Sequence, residues 1–394
     1  MTKQKMKELL DHYTKELLES TMPFWMKHAP DKTFGGYHTV IGRNGEVLSR
    51  HKNVWIHGRF VWLLSTLCTK FEPKQEWLEM ATHGIQFLEK YGFDSKGKMY
   101  FTLDRDGKPV RMRRYIFAEV FAVMAYAAYS KASKEPYYLD RAKQIFANIK
   151  KYLSDPDLLP PKFNQENFPT KGHSMTMIQI NMLQMLREND PDGSYDQLIA
   201  NQIKEVMKYF VKPEEKALLE LVAPDGSIIR DTPEGRTINP GHAIETAWFM
   251  LEEAKLQNDK DLMKNALDIL DWSLDWGWDK EYGGLFSFVD LDHKTPVQVE
   301  ADMKYWWPHN ESIYATLLAY SLTGDEKYEN WFDRIHQWSE QHFPDREHGE
   351  WFGYLHRDGT VAVDMKATGW KGPFHLPRQQ LNCMLLLQEM IEKQ

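Results

Sequence analysis

Five short segments of this chain share one pattern, and their spacing constrains the fold more than any other feature. They are GYHTVIGRNGEVL (36–48), KMYFTLDRDGKPV (98–110), LLELVAPDGSII (218–229), GLFSFVDLDHKTPV (284–297) and EWFGYLHRDGTVA (350–362). Each is an apolar or aromatic run, a turn, and a second short run. Asn-Gly and Asp-Gly turns favour the left-handed conformations a tight hairpin needs. The turns end at Gly45, Gly107, Gly226, His293 and Gly359, with successive spacings of 62, 119, 67 and 66 residues. The gap of 119 is about twice the others, which predicts a sixth unit with a degenerate turn near LLPPKFNQENFPTKG (158–172). A fixed period means stacked supersecondary units.

Between the hairpins lie long runs with apolar residues at helical spacing, such as VWIHGRFVWLLSTLCTKF (54–71), YIFAEVFAVMAYAAYSKA (115–132) and AIETAWFMLEEAKLQ (243–257). Others, EWLEMATHGIQFLEKYG (76–92) and EKYENWFDRIHQWSEQHF (326–343), carry more charge and read as outer helices. Each unit then holds an inner helix, an outer helix and a hairpin. Six units close into an all-α (α/α)6 barrel with short β-hairpins between helix pairs. No Pro- or Gly-rich linker breaks the period, so residues 1–394 are expected to form a single catalytic domain.

Composition excludes several classes. Hydrophobic residues make up 42% and aromatics 13%, enough for a large core and against disorder. The net charge of −8, with both signs mixed along the chain, argues against nucleic acid, which wants a basic face. Cys68 and Cys383 sit in apolar helical runs and read as buried thiols rather than a disulfide framework. The stretch MTKQKMKELLDHYTKELL has no apolar signal core, and no segment is long enough to span a bilayer, so the expectation is a cytoplasmic protein without a membrane partner.

Several polar residues fall at one phase of the repeat. Arg59 lies 14 residues after its turn residue, His242 lies 16 after, Glu311 lies 18 after, His375 lies 16 after and Arg378 lies 19 after. Equal phase in a closed repeat means the same barrel end, so these residues should converge on one pocket. Asn239-Pro240-Gly241-His242 reads as an N-cap followed by proline in the first turn. His242 and Glu245 then share a helical face. Trp307-Pro308-His309-Asn310-Glu311 and Gly372-Pro373-Phe374-His375 open helices beside prolines in the same way. A helix N-terminus disfavours a nearby cation, so both histidines are expected neutral, as a general base requires.

The duller readings are plain. Most of the fifteen histidines must be structural or surface groups, and His83, His336 and His342 fall in outer-helix patterns. Arg59 could snorkel from the core, Glu245 and Glu311 could be caps or ion-pair partners, and Trp306 and Trp307 could be core. Shared phase and the proline-flanked setting favour His242 and His375 as an acid–base pair. The expected sugar-binding set is Arg59, Glu245, Glu311, Arg378, Trp307 and His309, the tryptophan offering a face to sugar C–H groups. The His242…Glu245 and His309…Glu311 spacings also suit a metal pair, but there is no HExxH and no Cys/His cluster, so no metal is expected. GxxxxGK[ST], GxGxxG and GxSxG are absent from the sequence.

The motifs GGYHTVIGRNGEV, VWIHGRFVW, NPGHAIETAWFML, DKEYGGLFSF, MKYWWPHNESI, HGEWFGYLHRDG and KGPFHLPR occur in this order along nearly the whole chain. Together they resemble the N-acylglucosamine 2-epimerase family, called renin-binding protein in mammals. WWPHNE and FHLPR point to the acylglucosamine branch over its cellobiose 2-epimerase and aldose–ketose isomerase relatives. KGHSMTMIQINML matches only loosely. The resemblance implies an (α/α)6 barrel and interconversion of N-acetylglucosamine with N-acetylmannosamine, as in sialic acid catabolism. It implies His242 and His375 as acid–base residues, with Arg59, Glu311 and Arg378 needed in the pocket. It further implies no required cofactor, a nucleotide (ATP) as activator, and a homodimer. The rivals are another sugar epimerase or aldose–ketose isomerase on this scaffold, a glycoside hydrolase, which needs two carboxylates about the scissile bond, and a non-catalytic binding protein.

Overall fold

The computed structural model describes residues 1–113, 115–155, 157–159 and 162–393. Among these are thirteen α-helices: α1 (Lys3–Lys15), α2 (Met22–His28), α3 (Val54–Lys70), α4 (Gln75–Tyr91), α5 (Phe117–Ser133), α6 (Pro136–Ser154), α7 (His173–Asn189), α8 (Asp196–Glu205), α9 (Pro240–Gln257), α10 (Lys260–Gly277), α11 (Trp306–Thr323), α12 (Glu326–His342) and α13 (His375–Glu392). The odd-numbered helices from α3 to α13 form the inner ring, each packing on the next, and α13 returns to α3. Such helices are covered on every side, so they carry no polar stripe. Every residue of α3 from Val54 to Leu67 is buried. The outer helices α4, α6, α8, α10 and α12 each pack on the inner helix that precedes them in sequence. Among the described residues no helix follows α13, and α1 packs on it in the outer position. The barrel therefore closes by bringing the start of the chain to its end.

The turn phase appears in the backbone. Gly45, Gly107, Gly226, His293 and Gly359 all have positive φ, from 56° at His293 to 95° at Gly45. The short strands beside these turns link units. Residues 52–53, 237–238, 304–305 and 367–368 each lead toward an inner helix, and they pair antiparallel with residues 102–103, 289–290, 354–355 and 40–41 of the following hairpin. Residues 171–172 pair likewise with 221–222. The strand ahead of α5, residues 109–111, pairs only back onto 102–103 among the described residues. Its partner in the next unit would fall within 158–172, where the degenerate turn was expected. Pro160 and Pro161 of that segment lie outside the described residues, and the rest of it up to Thr170 contains no strand.

The core is one continuous cluster running through inner and outer helices. Of the two cysteines, Cys383 is buried as expected but Cys68 is only half-buried, because it sits near the C-terminal end of α3; both are free. No described helix is long and apolar enough to cross a membrane.

Candidate active site

The N-terminal ends of α3, α7, α9, α11 and α13 meet at the hairpin end of the barrel. Asn239 caps α9, its side-chain oxygen accepting from the His242 backbone N–H at 3.0 Å, with Pro240 in the first turn. That cap holds His242 one turn into the ring. The His242 Nδ1 donates to Glu220 Oε1 at 2.9 Å. His375 opens α13 and its Nδ1 donates to Glu311 Oε1 at 2.6 Å. Both rings lie against Trp307, with centroid distances of 5.2 Å for His242 and 5.7 Å for His375. Both imidazoles thus touch one indole, and each is held by its own glutamate through Nδ1, which leaves Nε2 as the working nitrogen of each.

The charges around the two rings differ. Arg378 Nη2 donates to Glu245 Oε1 at 2.6 Å and to Glu311 Oε1 at 2.7 Å, and Trp248 Nε1 donates to Glu311 Oε2 at 2.8 Å. Glu311 therefore serves a permanent cation as well as His375. Burial, together with the Arg378 and Arg59 guanidiniums, pushes the His375 imidazolium well below its ordinary range. His242 behaves the other way. Burial disfavours its cation, but the Glu220 carboxylate outweighs that and the net direction is upward. Glu220 itself is held well below the usual carboxylate range by His242 and His173, against the effect of burial. The lowering expected of both histidines is thus found at His375, whereas at His242 the carboxylate in contact turns the direction upward. The His242 side chain is also the more open, 27% exposed against 9% for His375.

Arg59 lies in an aromatic slot. Its guanidinium is 4.4 Å from the Trp55 ring, 4.2 Å from Phe121 and 4.9 Å from Phe374, and Nη1 faces the Trp370 carbonyl at 3.5 Å. Phe374 also packs on the Arg378 guanidinium at 4.4 Å. Glu245, Glu311 and His375 lie close enough together to hold a cation. Arg378 supplies that positive charge, so the donor set fits an ion-pair cluster.

Of the residues singled out by sequence, His242, Glu245, Trp307, Glu311, His375 and Arg378 come together, with Arg59 joined to them through Phe374. His309 does not. It is fully buried, with Nδ1 donating to the Tyr305 carbonyl at 2.6 Å and Nε2 accepting from the Leu285 N–H at 2.9 Å. Its ring stacks on Trp338 of α12 at 4.9 Å, which points it to the outside of the ring. Two residues along a helix turn the side chain by about 200°, so Trp307 and His309 cannot face the same side. Two neighbours escaped the sequence reading. Glu220 sits in the apolar run LLELV just before a turn, and a lone carboxylate there was the available signal. His173 begins α7, where the degenerate turn leaves no glycine from which to count phase.

The family model for N-acylglucosamine 2-epimerase (GlcNAc 2-epimerase) matches residues 35–376. The N-acylglucosamine 2-epimerase of Rattus norvegicus is 34% identical over 386 residues, covering 95% of this chain and 91% of the rat protein. The protein of that name from Homo sapiens is also 34% identical, covering 95% and 88%. A solved structure of cellobiose 2-epimerase from Spirochaeta thermophila superposes with a TM-score of 0.84 at 21% identity, covering 98% of each chain, and shows the shared barrel. Both the barrel and the sequence match thus extend over nearly the whole length, and the chain belongs to the N-acylglucosamine 2-epimerase family.

Proposed function

We propose that this protein is an isomerase that interconverts N-acetyl-D-glucosamine and N-acetyl-D-mannosamine by moving the proton on carbon 2. The observation that carries the reading is the pair His242 and His375, both in contact with Trp307 and each anchored at Nδ1 by a glutamate. In the open-chain sugar the aldehyde acidifies the carbon-2 proton. One imidazole removes it, an enediolate-like intermediate forms, and the other imidazole returns a proton to the opposite face. Inversion needs two groups, because a single base returns the proton where it came from. Environments that push two titratable groups apart are the usual mark of such a pair. Here the surroundings shift His375 toward the neutral base and His242 toward the protonated acid.

Arg59 is assigned to the developing negative charge on the carbonyl oxygen. Arg378 is committed to Glu245 and Glu311, so its role is to hold Glu311 against His375. Trp307 supplies the apolar face for the sugar ring or chain. Both proton transfers are assigned to side chains, so the reaction calls for no metal or redox cofactor, and the whole chain acts as one catalytic unit. The test is proton NMR of N-acetylmannosamine with the protein in heavy water. N-acetylglucosamine should appear with deuterium at carbon 2. Turnover of cellobiose or mannose with no change in N-acetylmannosamine would overturn the substrate assignment, and conversion without carbon-2 deuterium would overturn the mechanism.

A further inference from the structure

His173 is fully buried at the first position of α7, and the mechanism above gives it no task. Its Nδ1 faces Glu220 Oε1 at 3.4 Å, the same oxygen that receives His242 Nδ1 at 2.9 Å. Its Nε2 faces the Thr246 hydroxyl at 3.0 Å. Thr246 lies one turn beyond His242, and its hydroxyl is 2.8 Å from the His242 carbonyl. The His173 backbone N–H donates to the Glu220 carbonyl at 3.0 Å, so the two residues are also tied through the main chain. The arrangement is a closed path from His242 through Glu220, His173 and Thr246 back to His242.

Proton counting gives this path a direction. The Thr246 hydroxyl has one proton and two acceptors within reach, the His242 carbonyl and the His173 Nε2. Glu220 can only accept, so the His173 Nδ1 that faces it carries the ring proton, and Nε2 of the neutral ring accepts from the Thr246 hydroxyl, which shares its proton with the His242 carbonyl. Glu220 Oε1 then accepts from two imidazoles, and the charge it offers His242 is divided. We propose that His173 is a positioning residue that sets the basicity of His242 by sharing the Glu220 oxygen, with Thr246 fixing its tautomer. The proposal rests on the reading of His242 as one of the two proton-transfer groups for its functional meaning, but not for its test. The groups facing His242 are Glu220 on the hairpin before α9, Glu245 on its own helix, Trp307 of α11 and His375 of α13, with His173 of α7 behind Glu220. Of these, His173 alone reaches His242 through Glu220.

The experiment is a histidine side-chain NMR titration of the full chain without substrate, with the His242 signal identified by its loss in His242→Asn. In His173→Leu the second N–H is gone, the Glu220 charge falls on His242 alone, and the midpoint should rise by on the order of half a pH unit. His173→Asn places an amide N–H where Nδ1 stood and should restore most of that shift. Thr246→Val removes the hydroxyl without touching Glu220 and should move the midpoint upward as well, which keeps the test open should His173→Leu fail to fold. A midpoint unmoved or lowered in a folded His173→Leu or Thr246→Val protein would overturn the proposal. So would an equal shift in His173→Asn and His173→Leu. The readout involves no sugar, so it decides the role of His173 even if the assigned substrate proves wrong. Where epimerisation is observed, the limb of kcat/KM governed by His242 should move in the same direction in the same variants.

Discussion

His375 Nδ1 and Glu311 Oε1 are 2.6 Å apart, and the same oxygen is 2.7 Å from the Arg378 guanidinium. His375 therefore leans on a carboxylate whose charge is already engaged, whereas Glu220 beside His242 has only imidazole partners among the side-chain contacts described. Two rings of one chemical type thereby acquire different proton affinities. The difference is built from which cation reaches which carboxylate.

Glu311→Gln removes the charge and keeps the shape. Arg378 retains Glu245, but a buried guanidinium loses half its compensation, and His375 loses its orienting acceptor. Breaking a buried ion pair costs about 3–5 kcal/mol, and the remaining carboxylate puts this case near the lower figure. Chemical denaturation should show a loss of about 3 kcal/mol. Epimerase kcat should fall by at least about a hundredfold. Wild-type stability in the variant would show that Arg378 does not depend on Glu311.

His242→Asn and His375→Asn should each lower net epimerisation by at least about a hundredfold, the usual share of one general acid or base. With either sugar alone, deuterium exchange at carbon 2 should survive in at most one of them, because the single remaining base reaches the proton of only one epimer. A thermal melt of each variant separates lost chemistry from lost fold. Full activity in either folded variant would end the two-histidine mechanism.

The barrel was legible because hairpin turns recur and because left-handed backbone selects glycine at four of the five positions. At the fifth, His293 takes φ 56° and stacks on Trp276 at 4.9 Å, and the phase could be followed through it from the flanking apolar runs and their spacing. Counting from turns found the correct barrel end, since every residue named lies near the start of an inner helix. It could not say which side of the helix a residue faces. Trp307 and Glu311, four apart, look inward together, while His309 between them looks outward. Glu220 precedes its turn and so lay outside any count that began there. His173 follows the degenerate segment, which offers no turn position from which to count. His242 was expected neutral from its helix end alone, since its carboxylate partner comes from a separate hairpin that spacing does not reveal.

The turn positions can be tested as a pair. Gly226 has φ +91° and an added Cβ would meet Tyr209 Cδ1 at 3.3 Å, a contact that a small shift relieves. Gly107 has φ +82°, but its added Cβ would come within 2.2 Å of Tyr91 Cδ1, so the ring must move. Gly226→Ala should cost about 1–2 kcal/mol, the strain of left-handed backbone alone. Gly107→Ala should cost more, and the difference measured by urea unfolding reports the displacement of Tyr91. Equal losses would show that the ring yields freely.

The final prediction concerns acid. His57 and His309 occupy the fourth position of α3 and α11, and the structure uses them identically. Nδ1 donates to the carbonyl four residues back, Asn53 for one and Tyr305 for the other. Nε2 accepts a backbone N–H from a hairpin, that of Tyr37 or Leu285, at 2.8 and 2.9 Å. A ring with one nitrogen donating and the other accepting is neutral, and a proton on Nε2 would break the second bond. Burial, reinforced by Lys52 and Lys304, pushes each down to about 3. A group whose folded value is lowered stabilises the fold above its unfolded value, near 6.5, and loses that contribution as pH falls toward the folded value. Between pH 7 and 5 the loss is about 2 kcal/mol for each histidine. His242 has the opposite sign: its raised value adds stability below about 6.5 that disappears as pH rises through it, so it cannot produce the acid loss. Urea melts of the wild-type chain at pH 7 and 5 should therefore show a marked fall. His309→Gln, though less stable at pH 7, should show a fall smaller by about 2 kcal/mol, because one proton-linked group has been removed. An unchanged fall in His309→Gln would mean that this histidine does not charge on unfolding, and the shared task of His57 and His309 would have to be abandoned.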